Sequence, residues 1–236
     1  MKRQIISAAG MLSRERAKIA RTSTNPEELR RFANDRSKAV LDRVVHNPNT
    51  PTDAFYDIIS NPKADVTVRA YIAYKPNTPP EILAELANDE DYRVRKNVAF
   101  HEHTPLEILV ELAYDEDEWV RRNVAANSNT PIEVLVDLAS DKDNVVRGRV
   151  AANPNTPPEV LDELADDRDG TVRARVAFHP STSPESLAEL ANDTDTFVRR
   201  MVADNPNTPP EVLDELADDI DTYVRRNVAA NPNTFR

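Results

Sequence analysis

The chain has 236 residues, a formal net charge of −11 and no cysteine. The lack of cysteine excludes disulfides, thiolate metal ligands, iron–sulfur clusters and cysteine nucleophiles, and it favours the reducing cytoplasm as the location. The negative charge argues against non-specific attraction to nucleic acid or anionic lipid. No apolar run approaches the roughly 20 residues of a membrane span, so the sequence predicts neither a membrane helix nor a membrane partner.

Residues 1–21 differ from the rest of the chain because they are locally basic. Their apolar residues follow a helical spacing, which predicts an amphipathic helix that caps the first repeat. The residues on this face are Ile5, Ala8, Ala9, Leu12 and Ile19. The apolar stretch is short and broken, so the segment is not predicted to be a signal peptide.

The rest of the chain, residues 22–236, is built from one recurring unit. The loop N-P-N-T-P-P-E returns at a period of about 26 residues, which lies in the range of known repeat architectures. One interval, between Thr50 and Thr78, is slightly longer because of an insertion near Asn61 to Ala64. The loop threonines are Thr50, Thr78, Thr104, Thr130, Thr156, Thr182, Thr208 and Thr234. A regular period of this length indicates stacked units that share one core.

Each unit contains two helix signatures. In Thr208–Glu211, Thr208 is predicted to be the N-cap and Glu211 to return a bond to it, as in a capping box. Asp221 is predicted to cap a second helix, which Asn231 and Pro232 then end. Apolar residues lie at helical spacing in both segments. We therefore expect an all-α solenoid of about eight stacked two-helix repeats.

The consensus V-R-x-x-V-A-x-N-P-N-T-P-x-E-x-L-x-E-L-A-x-D resembles the leucine-rich repeat variant family. This resemblance implies a right-handed superhelix of alternating α and 3₁₀ helices. From the residues alone, one helix of each pair can be short or partly 3₁₀, because so short a unit leaves little room for two full helices, and the sequence does not indicate which one. In the family's type protein, an N-terminal cysteine cluster carries an iron–sulfur centre. That feature cannot be carried over to a chain without cysteine, so we expect no cofactor.

An aspartate precedes an arginine by six residues in most repeats, and we call these residues the Arg/Asp ladder. Chemistry that recurs at every repeat favours a structural role, because an active site needs to occur only once. Leu41 and Lys63 break the pattern near the N-terminal end. The ladder residues are Asp89, Arg95, Asp115, Arg121, Asp141, Arg147, Asp167, Arg173, Asp193, Arg199, Asp219 and Arg225.

The four histidines do not form a convincing site. His101 and His103 are close in sequence, but His101 and His179 both stand at the loop asparagine position, three repeats apart. Helix layers about 8–10 Å thick keep those two too far apart to share one ion. The sequence therefore predicts no metal site and no catalytic residues, since no Ser–His–Asp set has a supporting spacing either.

Variable positions of the second helix are more informative about function. Spacings of i, i+4 and i+7, with the position after the ladder arginine, place arginine and aromatic side chains on one face. We call this set the arginine/aromatic stripe: Tyr71, Tyr74, Lys96, Phe100, Trp119, Arg122, Arg149, Arg175, Phe178, Phe197, Arg200, Tyr223 and Arg226. These residue types dominate interface energies, although a solvated face with aromatics covering gaps between repeats explains the pattern equally well.

The leading functional hypothesis is a non-catalytic scaffold that binds a protein or peptide along this stripe. The alternative is a nucleic-acid binder in which one arginine per repeat meets a phosphate. A looser resemblance to HEAT-like arrays is compatible with both, because most such arrays bind proteins and some DNA-repair glycosylases use them. A glycosylase would also need a catalytic carboxylate and a base pocket, and the sequence singles out neither.

Two further expectations concern surfaces. Glu85, Glu111, Glu163, Glu189 and Glu215 form an acidic strip on the first helices, which is predicted to be solvated. At the C-terminal end, the last helix is predicted to expose one side of Val224 and Val228. We expect Phe235 to fold back as a cap, the end to self-associate, or the natural protein to continue past Arg236.

Overall fold

The computed structural model describes residues 11–234, which form helices and connecting turns without any strand. The contacts divide the chain into two compact units, Met1–Ile108 and Leu109–Arg236. The predicted all-α array of two-helix repeats is confirmed. All helices in the described residues are α, so the alternative with 3₁₀ helices, left open by the sequence and implied by the resemblance, is not what the chain adopts.

The first helices of the repeats are short, at six to eight residues. They are α2 (Pro26–Ala33), α4 (Ala54–Ile59), α6 (Pro80–Leu86), α8 (Leu106–Leu112), α10 (Ile132–Leu138), α12 (Pro158–Ala165), α14 (Pro184–Leu190) and α16 (Pro210–Leu216). The second helices are α1 (Ser13–Thr22), α3 (Lys38–Val45), α5 (Val66–Tyr74), α7 (Tyr92–Phe100), α9 (Glu118–Ala126), α11 (Asn144–Ala151), α13 (Gly170–Phe178), α15 (Thr196–Asp204) and α17 (Thr222–Ala230).

Within each unit, the second helices pack side by side in chain order. In the first unit α1, α3, α5 and α7 follow one another, and in the second unit α9, α11, α13, α15 and α17 do so. The core is made of small aliphatic side chains, for example Val146, Val150, Leu161 and Leu164, which are almost fully buried. Helices of two turns are not stable alone, so burial between repeats provides their stability.

The loop threonine does not cap the first helix, so the predicted capping box is wrong. In the last repeat the N-cap is Pro209, extended at ψ 145°, and the helix begins at Pro210. A residue before proline is pushed towards extended conformations, so both Thr208 and Pro209 stay outside the helix. Thr208 is instead buried, and its hydroxyl donates to the carbonyl of Val202 in the preceding helix at 2.6 Å.

The cap of the second helix is as predicted. The Asp221 carboxylate accepts from the backbone N–H groups of Tyr223 and Val224, and equivalent aspartates cap α9, α11, α13 and α15. The bond to the exposed first turn satisfies donors that the helix itself leaves free.

A second repeating contact, not predicted from the sequence, links the loops. Asn205 is fully buried, and its amide donates to the carbonyls of Ala177 and His179 in the preceding repeat at 2.8 and 3.0 Å. Asn153 and Asn231 make the same pair of bonds. We call these contacts the asparagine ladder. It accounts for the asparagine that recurs at this loop position, which is replaced only by Lys75, His101 and His179.

The ends of the chain differ from the expectations. Val224 and Val228 are 0% and 3% exposed, so the prediction that they face solvent is wrong: α17 turns this side towards α15 and α16, and Ala229 is exposed instead. Ile5, Ala8, Ala9 and Phe235 lie outside the described residues. Within the predicted N-terminal cap, α1 packs against α3 in the place of a second helix. No helix of residues 11–234 has the length and apolarity needed to cross a bilayer.

Candidate functional site

The Arg/Asp ladder joins neighbouring repeats. Arg147 donates from Nε and Nη2 to the two carboxylate oxygens of Asp167, twenty residues ahead, at 2.5 and 2.9 Å. Its Nη1 donates to the carbonyl of Asp141 in its own repeat at 2.8 Å. The same fork joins Arg121 to Asp141, Arg173 to Asp193, Arg199 to Asp219 and, in the first unit, Arg69 to Asp89. The arginine six residues after an aspartate therefore contacts its carbonyl, and not its carboxylate.

The electrostatics of the ladder are those of closely paired groups. Burial alone would raise the pKa of Asp167, but hydrogen bonds from Arg147 and from the backbone N–H of Asp169, together with the positive charge, lower it. The hydrogen bond to Asp167 raises the pKa of Arg147 in turn. The charged groups of the ladder thus bond to one another within the scaffold, which favours a structural role over chemistry on a ligand.

The ends of the ladder are irregular. Arg16 in α1 pairs with Asp35 as the ladder arginines do, a pair that the sequence did not reveal because no aspartate stands six residues before Arg16. Within the ladder, Arg95 and Arg121 donate to the carbonyls of Asp89 and Asp115, as Arg147 does to that of Asp141. Arg225 is exposed and donates to the carbonyls of Asp219 and Ile220.

In the first unit, the arginine/aromatic stripe contributes Tyr71, Tyr74, Lys96 and Phe100. The Tyr71 ring stacks on His46 with ring centroids 3.8 Å apart and is only half-exposed. Lys96 lies 5.9 Å from the ring centre of Tyr92. Tyr74 and Phe100 are well exposed at the C-terminal ends of α5 and α7.

In the second unit, two stripe arginines are neutralised by aspartates. Arg122 donates through Nε and Nη2 to Asp143 at 2.9 and 2.8 Å and lies 4.4 Å from the Trp119 ring centre. Arg200 donates through the same two nitrogens to Asp221, and its guanidinium lies 4.5 Å from the ring centre of Tyr223. The hydrogen bond from Arg200 lowers the pKa of Asp221 to about 2. The sequence could not show this pairing, because each partner aspartate lies in the following repeat.

The aromatic side chains of the stripe in the second unit are exposed. Trp119, Phe178, Phe197 and Tyr223 are 50–59% exposed. Within the described part of this unit, Arg149, Arg175 and Arg226 have no hydrogen-bonded or ion-paired partner, whereas Arg122 and Arg200 do. The face therefore combines exposed rings, two neutralised arginines and three free ones.

The comparison with solved structures agrees with this repeat geometry. A structure described as a leucine-rich repeat variant with a novel repetitive structural motif is 32% identical, with a TM-score of 0.68 over 87% of this chain and 81% of that one. The family model for the leucine rich repeat variant matches residues 66–91, 145–169 and 196–221. The chain belongs to the leucine-rich repeat variant family.

Weaker similarities connect this leucine-rich repeat variant protein with designed proteins. An engineered protein is 19% identical with a TM-score of 0.45, over 94% of this chain and 85% of that one. A designed armadillo repeat protein is 16% identical with a TM-score of 0.35, over 87% and 98% of the two chains. Comparison with curated protein sequences gives no match.

The histidines of this leucine-rich repeat variant protein belong to its scaffold. At the loop asparagine position, Nε2 of His179 contacts the carbonyl of Asn153 at 3.0 Å, and its Nδ1 accepts from the N–H of Ser181. His101 makes equivalent contacts with Lys75 and His103. Burial lowers the pKa of His179, although the Asn153 carbonyl acts in the opposite direction. Across residues 11–234, no three histidine, aspartate or glutamate side chains are placed to hold a metal ion.

Proposed function

We propose that this helical repeat protein is a non-catalytic cytoplasmic scaffold that binds a peptide or protein segment along the stripe of its second unit. The observation that carries the proposal is the exposure of Trp119, Phe178, Phe197 and Tyr223 on second helices that pack side by side. Exposed aromatic rings on a rigid face are the residues that most often dominate binding energy.

The distribution of aromatic residues supports this proposal. Among the phenylalanine, tyrosine and tryptophan side chains of residues 11–234, only Phe32 and Phe55 are buried. The core is instead filled by valine, leucine, isoleucine and alanine. Because aromatic rings are the side chains with the most apolar area to bury, their placement outside this core favours a partner that covers them.

The pairing of the stripe arginines with aspartates favours a protein partner over a nucleic-acid partner. Arg122 and Arg200 give their donors to Asp143 and Asp221, so a phosphate would have to compete with a carboxylate already in place. The formal charge of −11 adds long-range repulsion for a polyanion.

The proposal is tested by selecting peptides from a random display library on the wild-type protein. A variant with Trp119→Ala, Phe178→Ala and Phe197→Ala removes three stripe rings. A matched variant with Tyr114→Ala, Ile132→Ala and Val136→Ala removes three exposed apolar side chains of the opposite, first-helix side. We expect selected peptides to lose at least about tenfold in affinity for the first variant only.

Two outcomes contradict the proposal. One is an equal loss of peptide affinity in both variants, which would indicate a binding site elsewhere or non-specific hydrophobic binding. The other is binding of random duplex DNA with a log–log salt slope near −0.9 per contacted phosphate, which would favour the nucleic-acid alternative.

A further inference from the structure

Two adjacent repeats of the second unit depart from the stripe pattern in the same way. At the position after the ladder arginine, α9 and α15 carry Arg122 and Arg200, whereas α11 and α13 carry Gly148 and Ala174. One position later, α11 and α13 carry arginine: Arg149 and Arg175. The basic group is thus moved by one residue along the helix in these two repeats, which rotates it by about 100° around the helix axis.

This move separates the arginines from the capping aspartates. Arg122 and Arg200 each bond the capping aspartate of the following repeat. In the altered repeats, Asp169 instead accepts a hydrogen bond from Asn144 at 2.5 Å. Asp195 accepts from the N–H of Phe197 and is exposed. Neither aspartate comes within ion-pairing distance of Arg149 or Arg175.

Gly148 makes room for the side chain of Arg175. The guanidinium carbon of Arg175 lies 3.2 Å, and its Cδ 3.5 Å, from the point that a Cβ at position 148 would occupy. Arg175 is therefore laid across α11, half-buried, towards the repeat that carries Arg149. In the part of this unit that the structure describes, neither arginine has a hydrogen-bond acceptor from the protein.

Arg149 and Arg175 occupy equivalent positions on the adjacent helices α11 and α13, and the Arg175 side chain lies against Gly148, next to Arg149 in the chain. Burial lowers the pKa of Arg175, and the positive charge of Arg149 lowers it further, with Asp169 acting in the opposite direction. Two like charges that remain protonated next to each other are stabilised by an anion between them. Phe178 lies one turn beyond Arg175 on the same face of α13 and is 55% exposed, so an apolar contact is available beside the charges.

We propose that Arg149 and Arg175 bind a carboxylate of an acidic protein segment, whose neighbouring apolar residue packs on Phe178. This inference rests on the proposed function and specifies its partner. An isolated pair of free arginines, bordered by arginines already neutralised by aspartate, matches one acidic side chain. A nucleic acid would present a phosphate at every nucleotide along the same face, including the positions occupied by Asp143 and Asp221.

The test compares two doubly substituted proteins that lose the same charge. Arg149→Asn with Arg175→Asn introduces asparagine, the residue already present at the equivalent positions Asn97, Asn123 and Asn227. Lys142→Asn with Arg168→Asn removes two basic residues from the turns outside the stripe. Peptides selected on the wild-type protein are measured against both, together with versions in which each Asp and Glu is replaced by Asn and Gln.

We expect the selected peptides to be acidic and to lose about tenfold or more in affinity through Arg149→Asn with Arg175→Asn, with little change for the other pair. The amide versions should bind the wild type as weakly as the acidic peptides bind the arginine variant. Gly148→Ala should also weaken binding, because the added methyl displaces the Arg175 guanidinium, while unfolding temperature is kept or raised by the better helix former.

The outcomes separate this inference from the proposed function. Some peptides could require Trp119 and Phe178 for binding and yet keep their affinity for the arginine variant, or keep it when their own carboxylates are removed. That result would overturn the acidic partner but leave the proposed function intact. The absence of any stripe-dependent peptide overturns both. Duplex or single-stranded DNA that binds through Arg149 and Arg175 also overturns the acidic protein segment.

Discussion

Arg147 and Asp167, twenty residues apart, form a two-bond ion pair whose side chains are each only 6% exposed. The pair closes the contact between successive second helices, α11 and α13, and recurs along both units. Removing one member of such a buried pair leaves the other charge buried without its partner. The free energy lost in this way is larger than the net free energy that the intact pair contributes to stability.

Arg147→Ala should therefore lower the free energy of unfolding by about 2–4 kcal/mol. Arg225→Ala is the matched control, because Arg225 is exposed and, within residues 11–234, bonds two carbonyls and the Thr222 hydroxyl but no carboxylate. We expect its effect to stay below about 1 kcal/mol. Urea denaturation followed by circular dichroism measures both, and an equal effect would show that the carboxylate contact contributes little.

The loop threonine is tested by Thr156→Asp. Aspartate is a favoured N-cap, so this change would be tolerated if Thr156 capped α12. In the structure the Thr156 hydroxyl is buried and donates to the carbonyl of Val150 at 2.5 Å. A carboxylate cannot donate there, and we expect a loss of about 2–4 kcal/mol.

Glu159→Ala is the companion to that change. A capping-box glutamate would contribute to stability, but Glu159 is exposed on α12, so its replacement should change the free energy of unfolding by less than about 0.5 kcal/mol. A tolerated aspartate at 156 together with a costly alanine at 159 would restore the capping box. Thermal melts of the two variants decide the matter.

The asparagine ladder predicts a contrast between two asparagines of one loop. Asn205→Ala removes a buried amide that donates to two carbonyls, and should cost about 2–3 kcal/mol because both acceptors lose a partner. Asn207→Ala removes an exposed amide that donates to Pro180, and should cost less than about 1 kcal/mol. Similar melting temperatures for the two variants would contradict a structural role for Asn205.

His179 gives the scaffold a pH dependence. Its pKa is lowered in the folded state because burial disfavours the charged ring. The unfolded chain then binds a proton more readily below about pH 6.5. The contribution of the neutral ring is fully present above that pH and is lost as the pH falls towards the lower pKa of the folded protein.

His179→Asn supplies the residue that other repeats use at this position. Relative to the wild type, the variant should gain stability as the pH is lowered from about 8 to about 5. His103→Asn, the same substitution at an exposed histidine, is the matched control. Melting temperatures across this range test the prediction, and parallel curves for the wild type and His179→Asn would contradict it.

The repeat, its two helices and the identity of the repeating polar residues could be predicted from the sequence alone. A regular repeat period and apolar residues at helical spacing are local features, and local spacing defines which face of a helix a residue occupies. The Asp221 cap was predictable for the same reason, since the N–H groups that it accepts from lie two and three residues ahead.

The contacts between repeats could not be predicted in this way. Arg147 contacts Asp167 and not the carboxylate of Asp141, Thr208 bonds the preceding helix, and Arg122 is neutralised by Asp143 whereas Arg175 is left free. Each of these contacts depends on how far one helix is displaced and rotated against the next. That register is set by the packing of valine, leucine and alanine in the core, which sequence spacing does not encode.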